Sequence, residues 1–471
     1  MKTVSPRLTL LTASGVCSLI VLDTNIVAVT LPTIARDLGA NFVDIEWVVS
    51  AYMLAFAALL LPAGSIADRI GRKTTLIWGL CIFILASLGC GAAPNSLLLE
   101  IARAVKGVGA ALLLTSALAS IGHAFHDEVE RAKAWAFWGA CMGVAMTAAP
   151  TLGGLITEYL GWRWIFYLNL PVGMLGCWAV WHFIPDLRGD ERTRFDALGF
   201  VLFGAAMVFI TIAMEGLGEL HMPHLRVMLL LFAGLACLAA YWLRAANISN
   251  PLFSPVLFKT KTFAVGILGN LFARLGSGAL PFLVPLLLQV ALGYSPSQAG
   301  MSMLPLAAAA MLAKWVARPL IERLGYRTIL TGNTLALGIM LASMGLVTAQ
   351  TPYPLLLAML AVLGAINSLQ FTAMNTVTLI DLDDASASSG NSLLSVVAQL
   401  SLGLGVACAG ALLGGFTGDG ANDGVDTVLG AFQLTFLTVG IMAMLAAAIF
   451  LQLSPQDGRK PKANSEHDLD H

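Results

Sequence analysis

Long apolar stretches cut by short polar turns repeat along the whole chain. A helix that crosses a bilayer needs about 20 largely apolar residues. Scanning on that rule predicts fourteen helices. The first six lie near 8–33, 43–66, 74–92, 96–117, 133–157 and 162–184. Two more lie near 197–216 and 226–243. The last six lie near 262–290, 298–320, 328–347, 354–378, 390–413 and 430–452. The predicted division is therefore a six-helix half over 1–184, two linker helices with their connections over 185–261, and a second six-helix half over 262–453. Residues 454–471 are polar and charged, the composition of a disordered tail.

Composition narrows the class further. Of 471 residues, 58% are hydrophobic and only 11% charged, against about 25% charged in soluble domains. The fold class predicted is an all-α polytopic membrane protein. Net charge is −1, which leaves no basic footprint for nucleic acid. The seven cysteines all sit inside apolar stretches without metal-ligand spacing, and read as packing residues. No cofactor or metal is called for, and no phosphate-cradling Gly-x-x-x-x-Gly-Lys-Ser/Thr occurs, which disfavours transport driven by ATP. The first apolar run is too long for a cleavable signal peptide and is expected to remain as a helix.

Lysine and arginine set the orientation. With the N-terminus inside, the inner segments hold eighteen of the 26 basic residues, among them Arg69, Arg72, Lys73, Arg188, Arg192, Arg194, Lys259 and Arg459. The outer loops hold three, Arg36, Arg163 and Arg226. Both termini are thus expected in the cytoplasm.

Charge inside the apolar stretches is the most informative feature. Asp23 is the one ionisable side chain in the middle of the first stretch. A carboxylate at mid-membrane costs about 2.5–3.5 kcal/mol on insertion scales. It is either a proton-binding group or half of a structural ion pair. Helix four carries Arg103 and Lys106, helix nine Arg274, and helix ten Lys314, which can snorkel to the interface. Arg103 lies about 10 Å and Asp23 about 15 Å below the outer end of its helix, at 1.5 Å per residue. Those depths permit an Asp23–Arg103 contact. Burial and a neighbouring arginine pull the protonation of Asp23 in opposite directions, so a small rearrangement could tip it. Glu100, one turn from Arg103, is a second candidate partner for that arginine. Lys106 and Arg274 have no evident acidic partners, and two such cations near the midplane call for water or an anionic ligand. Arg274 bound to helix-end carbonyls is the structural alternative.

The chain also repeats itself. Gly64-x-x-x-Asp68-Arg69-x-Gly71-Arg72-Lys73 follows the second helix, and Arg318-x-x-x-Glu322-Arg323-x-Gly325-x-Arg327 follows the tenth, at an offset of 254 residues. Parallel repeats of this kind mark transporters whose substrate site lies between the halves.

The Gly64–Lys73 stretch resembles motif A of the major facilitator superfamily. Leu22-Asp23-Thr24 through Leu31-Pro32 is similar to the first-helix signature of its fourteen-helix drug:proton antiporter family. Arg103-x-x-Lys106-Gly107-x-Gly109 resembles motif B, with Lys106 where glutamine is usual. Pro150-x-x-Gly153-Gly154 resembles the antiporter motif C, with Ala149 where a glycine is usual and upstream glycines thinned to Gly139 and Gly143. Trp162 through Phe166 and Asn169-x-Pro171-x-Gly173 resemble the family's entry to helix six. Segments around Arg274–Pro281, Phe371–Asn375 and Ala387–Asn391 are similar to the enterobacterial MdtD and HsrA branch.

The resemblance implies a major facilitator fold, two six-helix halves plus two central helices, in the bacterial inner membrane. It implies a proton-coupled antiporter of the multidrug-efflux type that exports small molecules by alternating access. The interior cations favour the alternative of an anionic metabolite or a metal chelate such as citrate. Asp23 and Arg103 are the candidate proton-coupling pair. Lys106, Arg274, Asn270, Gln289, Gln370 and Asn375 are candidate substrate contacts. Gly64, Asp68, Arg69, Gly71 and Arg72 would form a cytoplasmic gate, with close approach at Gly64 and a tight turn at Gly71. Pro150, Gly153 and Gly154 would seal the halves against leak. The expected partners are protons, a small-molecule substrate and the lipid bilayer. The chain is expected to be a monomer and no enzyme, with a periplasmic adaptor left open. His123 and His126 read as solvated loop residues. Asp381, Asp383 and Asp384 read as partners for basic loops, and 414–430 as an outer loop without calcium-site spacing.

Overall fold

A computed structural model describes residues 5–125, 127–186, 196–216, 223–248, 255–417 and 425–457. Arg188, Arg192, Arg194, His126 and the tail from 458 onward lie outside the described residues. Within them the chain forms helices and turns and no strand.

The helices group into fourteen rods. The first six are α1 (Pro6–Leu38), α2 (Phe42–Ile70), α3 (Arg72–Ala92), α4 (Ser96–Ala124), α5 (Glu128–Tyr159) and α6 (Trp164–Phe183). The next pair is α7 (Ala197–Gly216) and α8 (His224–Ala245). Then come α9 (Lys261–Ala291), α10 (Pro296–Leu324), α11 (Tyr326–Met344), α12 (Tyr353–Leu379), α13 (Asp384–Thr417) and α14 (Val425–Leu445, with a last turn Ala447–Phe450). Among the described residues, ten are long and apolar enough to cross a membrane, or eleven if Asp44–Leu60 and Pro62–Ile70, bent by 53°, count as one span. The rods follow the expected stretches in order.

Local chemistry explains the ends. Asn41 and Asp44 close a reciprocal capping box on α2, and Ser295 and Gln298 close another on α10, where Pro296 takes the first helical position. Asn95 caps α4 by accepting from Leu98 N at 2.9 Å, and Asp127 caps α5 by accepting from Glu130 N at 3.0 Å. The predicted single helix 262–290 is interrupted. It runs to Gly278, resumes at Leu280–Leu286, and ends in a π turn over Leu287–Ala291. Pro281 and Pro285 supply no N–H, so the ladder breaks there. The helices reach into the predicted outer loop, with α13 extending to Thr417 and α14 starting at Val425.

Packing repeats at an interval of eight helices. α1 lies on α5 as α9 lies on α13, and α2 on α4 as α10 on α12. α3 meets α4 and α6 as α11 meets α12 and α14. The short turns after α2 and α10 match too, through Gly71 at φ 115° and Gly325 at φ 79°, a backbone region that favours glycine. Between the halves the pairs are α1 with α9, α2 with α13, and α5 with α10. α7 and α8 pack on each other, with α7 against α2 and α13.

We call the end of the bundle that holds the start of α1 the near face, and the other the far face. Thr9 Oγ1 donates to Phe183 O at 3.0 Å and Lys73 Nζ to Trp181 O at 2.5 Å, joining the starts of α1 and α3 to the end of α6 there.

Candidate functional site

The interior polar residues nominated by sequence gather into two hydrogen-bonded groups, one in each half. In the first, α1 presents Asp23, and α4 presents Arg103 and Lys106, which share a helix face three residues apart. Asp23 is 3% exposed, and both cations are 0% exposed. Arg103 Nη1 donates to Asp23 Oδ2 at 2.8 Å, and Lys106 Nζ to Asp23 Oδ1 at 2.5 Å. Asn169 Nδ2, at the second segment of α6, donates to the same Oδ1 at 3.0 Å.

The surroundings are aromatic and buried. Arg103 stacks over the Tyr52 ring, 4.3 Å from its centroid, and its Nε donates to Val48 O at 2.9 Å. Lys106 Nζ lies 4.6 Å from the Phe83 ring centroid and 5.0 Å from that of Phe166. Such cation–π contacts gain strength where water is absent. Arg103 Nη2 has no hydrogen-bond partner among the described residues.

This corrects one expectation and decides between two candidate partners. Lys106 is not partnerless, since it is bound to Asp23. Arg103 pairs with Asp23 and not with Glu100. The i, i+3 spacing on α4 already allowed both cations to meet one carboxylate. Asn169, Tyr52, Phe83 and Phe166 were missed as site residues, although Asn169 and Phe166 lay in a quoted motif. Nothing in the spacing of apolar positions says which aromatic faces a cation.

The second group centres on Arg274 of α9, 6% exposed. Its Nε donates to Asn270 Oδ1 at 2.9 Å and its Nη2 to Asn375 Oδ1 on α12 at 3.1 Å. Its guanidinium carbon stands 4.0 Å from the Phe371 ring centroid. Arg274 therefore uses amide oxygens, not the helix-end carbonyls of the structural alternative. Asn270 Nδ2 in turn donates to Gly266 O at 2.9 Å.

The other two nominated amides sit elsewhere. Gln370 faces α11, donating to Thr334 Oγ1 at 2.7 Å and accepting from Asn333 Nδ2 at 2.8 Å. Gln289, in the π turn of α9, donates to Val29 O of α1 at 2.6 Å, and its Oε1 is buried without a partner among the described residues.

Pro150, Gly153 and Gly154 lie where α5 meets α1 and α10. A Cβ on Gly154 would fall 2.2 Å from Pro296 O, and one on Gly300 would fall 2.3 Å from Pro150 O. Only glycine permits that approach of two backbones. Glu158 extends the seam by accepting from Ser297 N at 3.0 Å. On the third inter-half pair, Glu46 of α2 is buried under Gly410 of α13 and accepts from Ser50 Oγ. All of these contacts lie toward the far face.

On the near face, Arg72 lies 3.6 Å from Asp68 and donates to Ala119 O at 3.0 Å. Arg318 and Glu322 pair at 2.8 Å across the same helical interval in the repeat. A Cβ at Gly64 would meet nothing within 4 Å, so the close approach expected there is not found, whereas the turn at Gly71 is. Asp381 accepts from Thr262 Oγ1 at 2.8 Å. An apolar groove of about 310 Å³ between α1, α3 and α6, lined by Val16, Leu80, Leu175 and Phe183 among others, contains none of the candidate residues. No group of His, Cys, Asp or Glu among the described residues is placed to hold a metal ion.

The Major Facilitator Superfamily family model matches residues 13–406 and 266–469. The chain belongs to this superfamily. Among curated relatives, it is 37% identical to a candidate multidrug resistance protein, MdtD, of Pectobacterium atrosepticum, over 92% of this chain and 93% of that protein. It is 36% identical to the protein of the same name from Yersinia enterocolitica, over 94% and 95%. Solved structures of similar fold include a bacterial homologue of the human lysosomal transporter Spinster. It has TM-score 0.70 and 17% identity, covering 97% of this chain and 99% of that one. A bacterial homologue of the human drug peptide transporters PepT1 and PepT2 has TM-score 0.61 and 15% identity, covering 95% and 98%. The chain is thus a multi-span membrane transporter for small molecules. Its Asp23 group sits between the first and fourth helices of the major facilitator fold, and its Arg274 group between the ninth and twelfth.

Proposed function

We propose that this chain is a proton-coupled antiporter that exports small molecules across a bacterial inner membrane, with the Asp23 group as its coupling site. The observation that carries this reading is a carboxylate on α1 held by two fully buried cations on the facing α4. Such a group is costly in a bilayer unless it works or is paired. Here it is paired by contacts that cross from α1 to α4 and α6, so its charge balance depends on how those helices pack. Asp23, Arg103 and Lys106 act as one unit.

The near face is assigned to the cytoplasm by the excess of lysine and arginine in its loops. Asp68, Arg69, Gly71 and Arg72 form the gate on that side. Pro150, Gly153 and Gly154 seal the opposite one. The chain works as a monomer. Similarity to proteins named for multidrug resistance supports drug efflux as the cargo class.

A second cargo reading rests on Arg274. It is a buried cation that neutral amides alone engage in the hydrogen bonds described. An anionic compound such as citrate would supply the missing charge, with Asn270 and Asn375 beside it.

Substrate-induced proton movement in everted vesicles tests both readings. Wild type is compared with Asp23→Asn, using ethidium and citrate as probes. Proton movement with ethidium that disappears in Asp23→Asn supports drug efflux. Movement with citrate alone supports the anionic cargo. Undiminished movement in Asp23→Asn refutes the coupling site.

A further inference from the structure

We propose that the proton exchanged in each cycle resides on Lys106 Nζ, while Asp23 and Arg103 form a permanent ion pair. The inference rests on the proton-coupled reading above and specifies which atom carries the proton.

The argument is one of charge and position. Asp23 Oδ2 and Arg103 Nη1 meet at 2.8 Å with both side chains buried, and together they are neutral. Arginine does not give up its proton in proteins. Lys106 adds a second cation to the same carboxylate, so the charged group carries one net positive charge in a buried site. An unbalanced buried charge is expensive, and a lysine, unlike an arginine, can shed it by losing a proton. Neutral Lys106 still has an N–H to donate to Asp23 Oδ1. Asn169 holds that same oxygen from the other side, so the carboxylate stays fully hydrogen-bonded in both states.

Among the described residues, the groups around Nζ offer no competing site. α1 contributes Asp23, and α2 contributes Tyr52, stacked on Arg103. α3 contributes Phe83 and the buried thiol of Cys90, and α6 contributes Phe166 and Asn169. On α4 itself the neighbour is Arg103, with Glu100 one turn farther toward the far face. Glu46 faces α13. The step is simple. The Nζ–H bond breaks, its electron pair stays on nitrogen, and a water molecule at the face then open takes the proton. The reverse step at the other face restores the ammonium.

Two measurements test this. The first is the pH-induced infrared difference spectrum of the intact wild-type protein in lipid, with isotope-labelled aspartate to assign carboxyl bands. The expected result is no protonated-carboxyl band from Asp23 over the pH range in which coupled transport runs. Such a band overturns the proposal. The second is proton movement in proteoliposomes with ethidium and citrate as probes. Lys106→Gln and Lys106→Arg are each expected to fall to the level of empty vesicles. Lys106→Gln moving protons as wild type does returns the proton to Asp23. Wild type moving none with either probe refutes the proton-coupled reading itself.

Discussion

The first and fourth helices of each half build the two polar groups, and they do so from first helices that bring charges of opposite sign. In the first half α1 brings a carboxylate and α4 answers with two cations. In the second half α9 brings a cation and α12 answers with an amide. One scaffold, repeated at an interval of eight helices, thus holds a charge cluster closed on itself and a cation served by dipoles. The difference separates two tasks. A group whose partners are all protein atoms can switch its own charge, whereas a buried cation left with neutral partners can still gain from a ligand.

The strongest test of this contrast is truncation of each centre. Asp23→Ala leaves Arg103 and Lys106 facing each other without a counter-charge, and breaking a buried pair costs about 3–5 kcal/mol. Arg274→Gln leaves no unpaired charge and should cost about 1–2 kcal/mol, the range for hydrogen bonds lost. Thermal unfolding of the two purified variants in one detergent should show the larger drop for Asp23→Ala. Equal drops would mean that Arg274 has an ionic partner after all.

Much of this was readable in the chain. Apolar stretches long enough to span a bilayer are a strong signal because backbone polar groups cannot be left unpaired in lipid. The repeat was readable because a tight turn demands glycine at Gly71 and at Gly325. The Asp23–Arg103 contact followed from helix rise alone. What could not be read was azimuth. Gln370 and Asn375 are five residues apart on α12 and look equivalent as polar residues in an apolar run. One turns to Thr334 on α11 and the other to Arg274 on α9. A helix with polar residues on several faces carries no periodic signal that names the neighbour of each. Lys106 escaped for another reason. It stands in the sequence as a lone cation once Asp23 is given to Arg103, although a carboxylate accepts on two oxygens.

Giving the second half a carboxylate of its own would erase the contrast. Asn375→Asp places that group where Asn375 Oδ1 now accepts from Arg274 Nη2 at 3.1 Å. Arg274 would then be neutralised within the protein, as Arg103 is. If citrate moves protons in wild type, its apparent affinity should fall by about tenfold, the effect of one close like charge, roughly 1.4 kcal/mol. Ethidium response should hold or rise. An unchanged citrate response would place the anion away from Arg274.

The smallest effect is expected at Gln370, and it separates polar residues that serve packing from those that face the substrate path. Gln370 is 0% exposed and spends both ends of its amide on α11. Gln370→Leu removes two neutral hydrogen bonds. Asn333 keeps its bond to Ile366 O at 2.9 Å and Thr334 its bond to Leu330 O at 2.6 Å, so neither is stranded as a donor. The apolar replacement should cost about 1 kcal/mol of stability, in line with a modest net hydrogen-bond contribution. Proton movement with either probe should stay at the wild-type level. A selective loss of transport with stability intact would move Gln370 into the path and make α11, not α9, the helix that α12 works against.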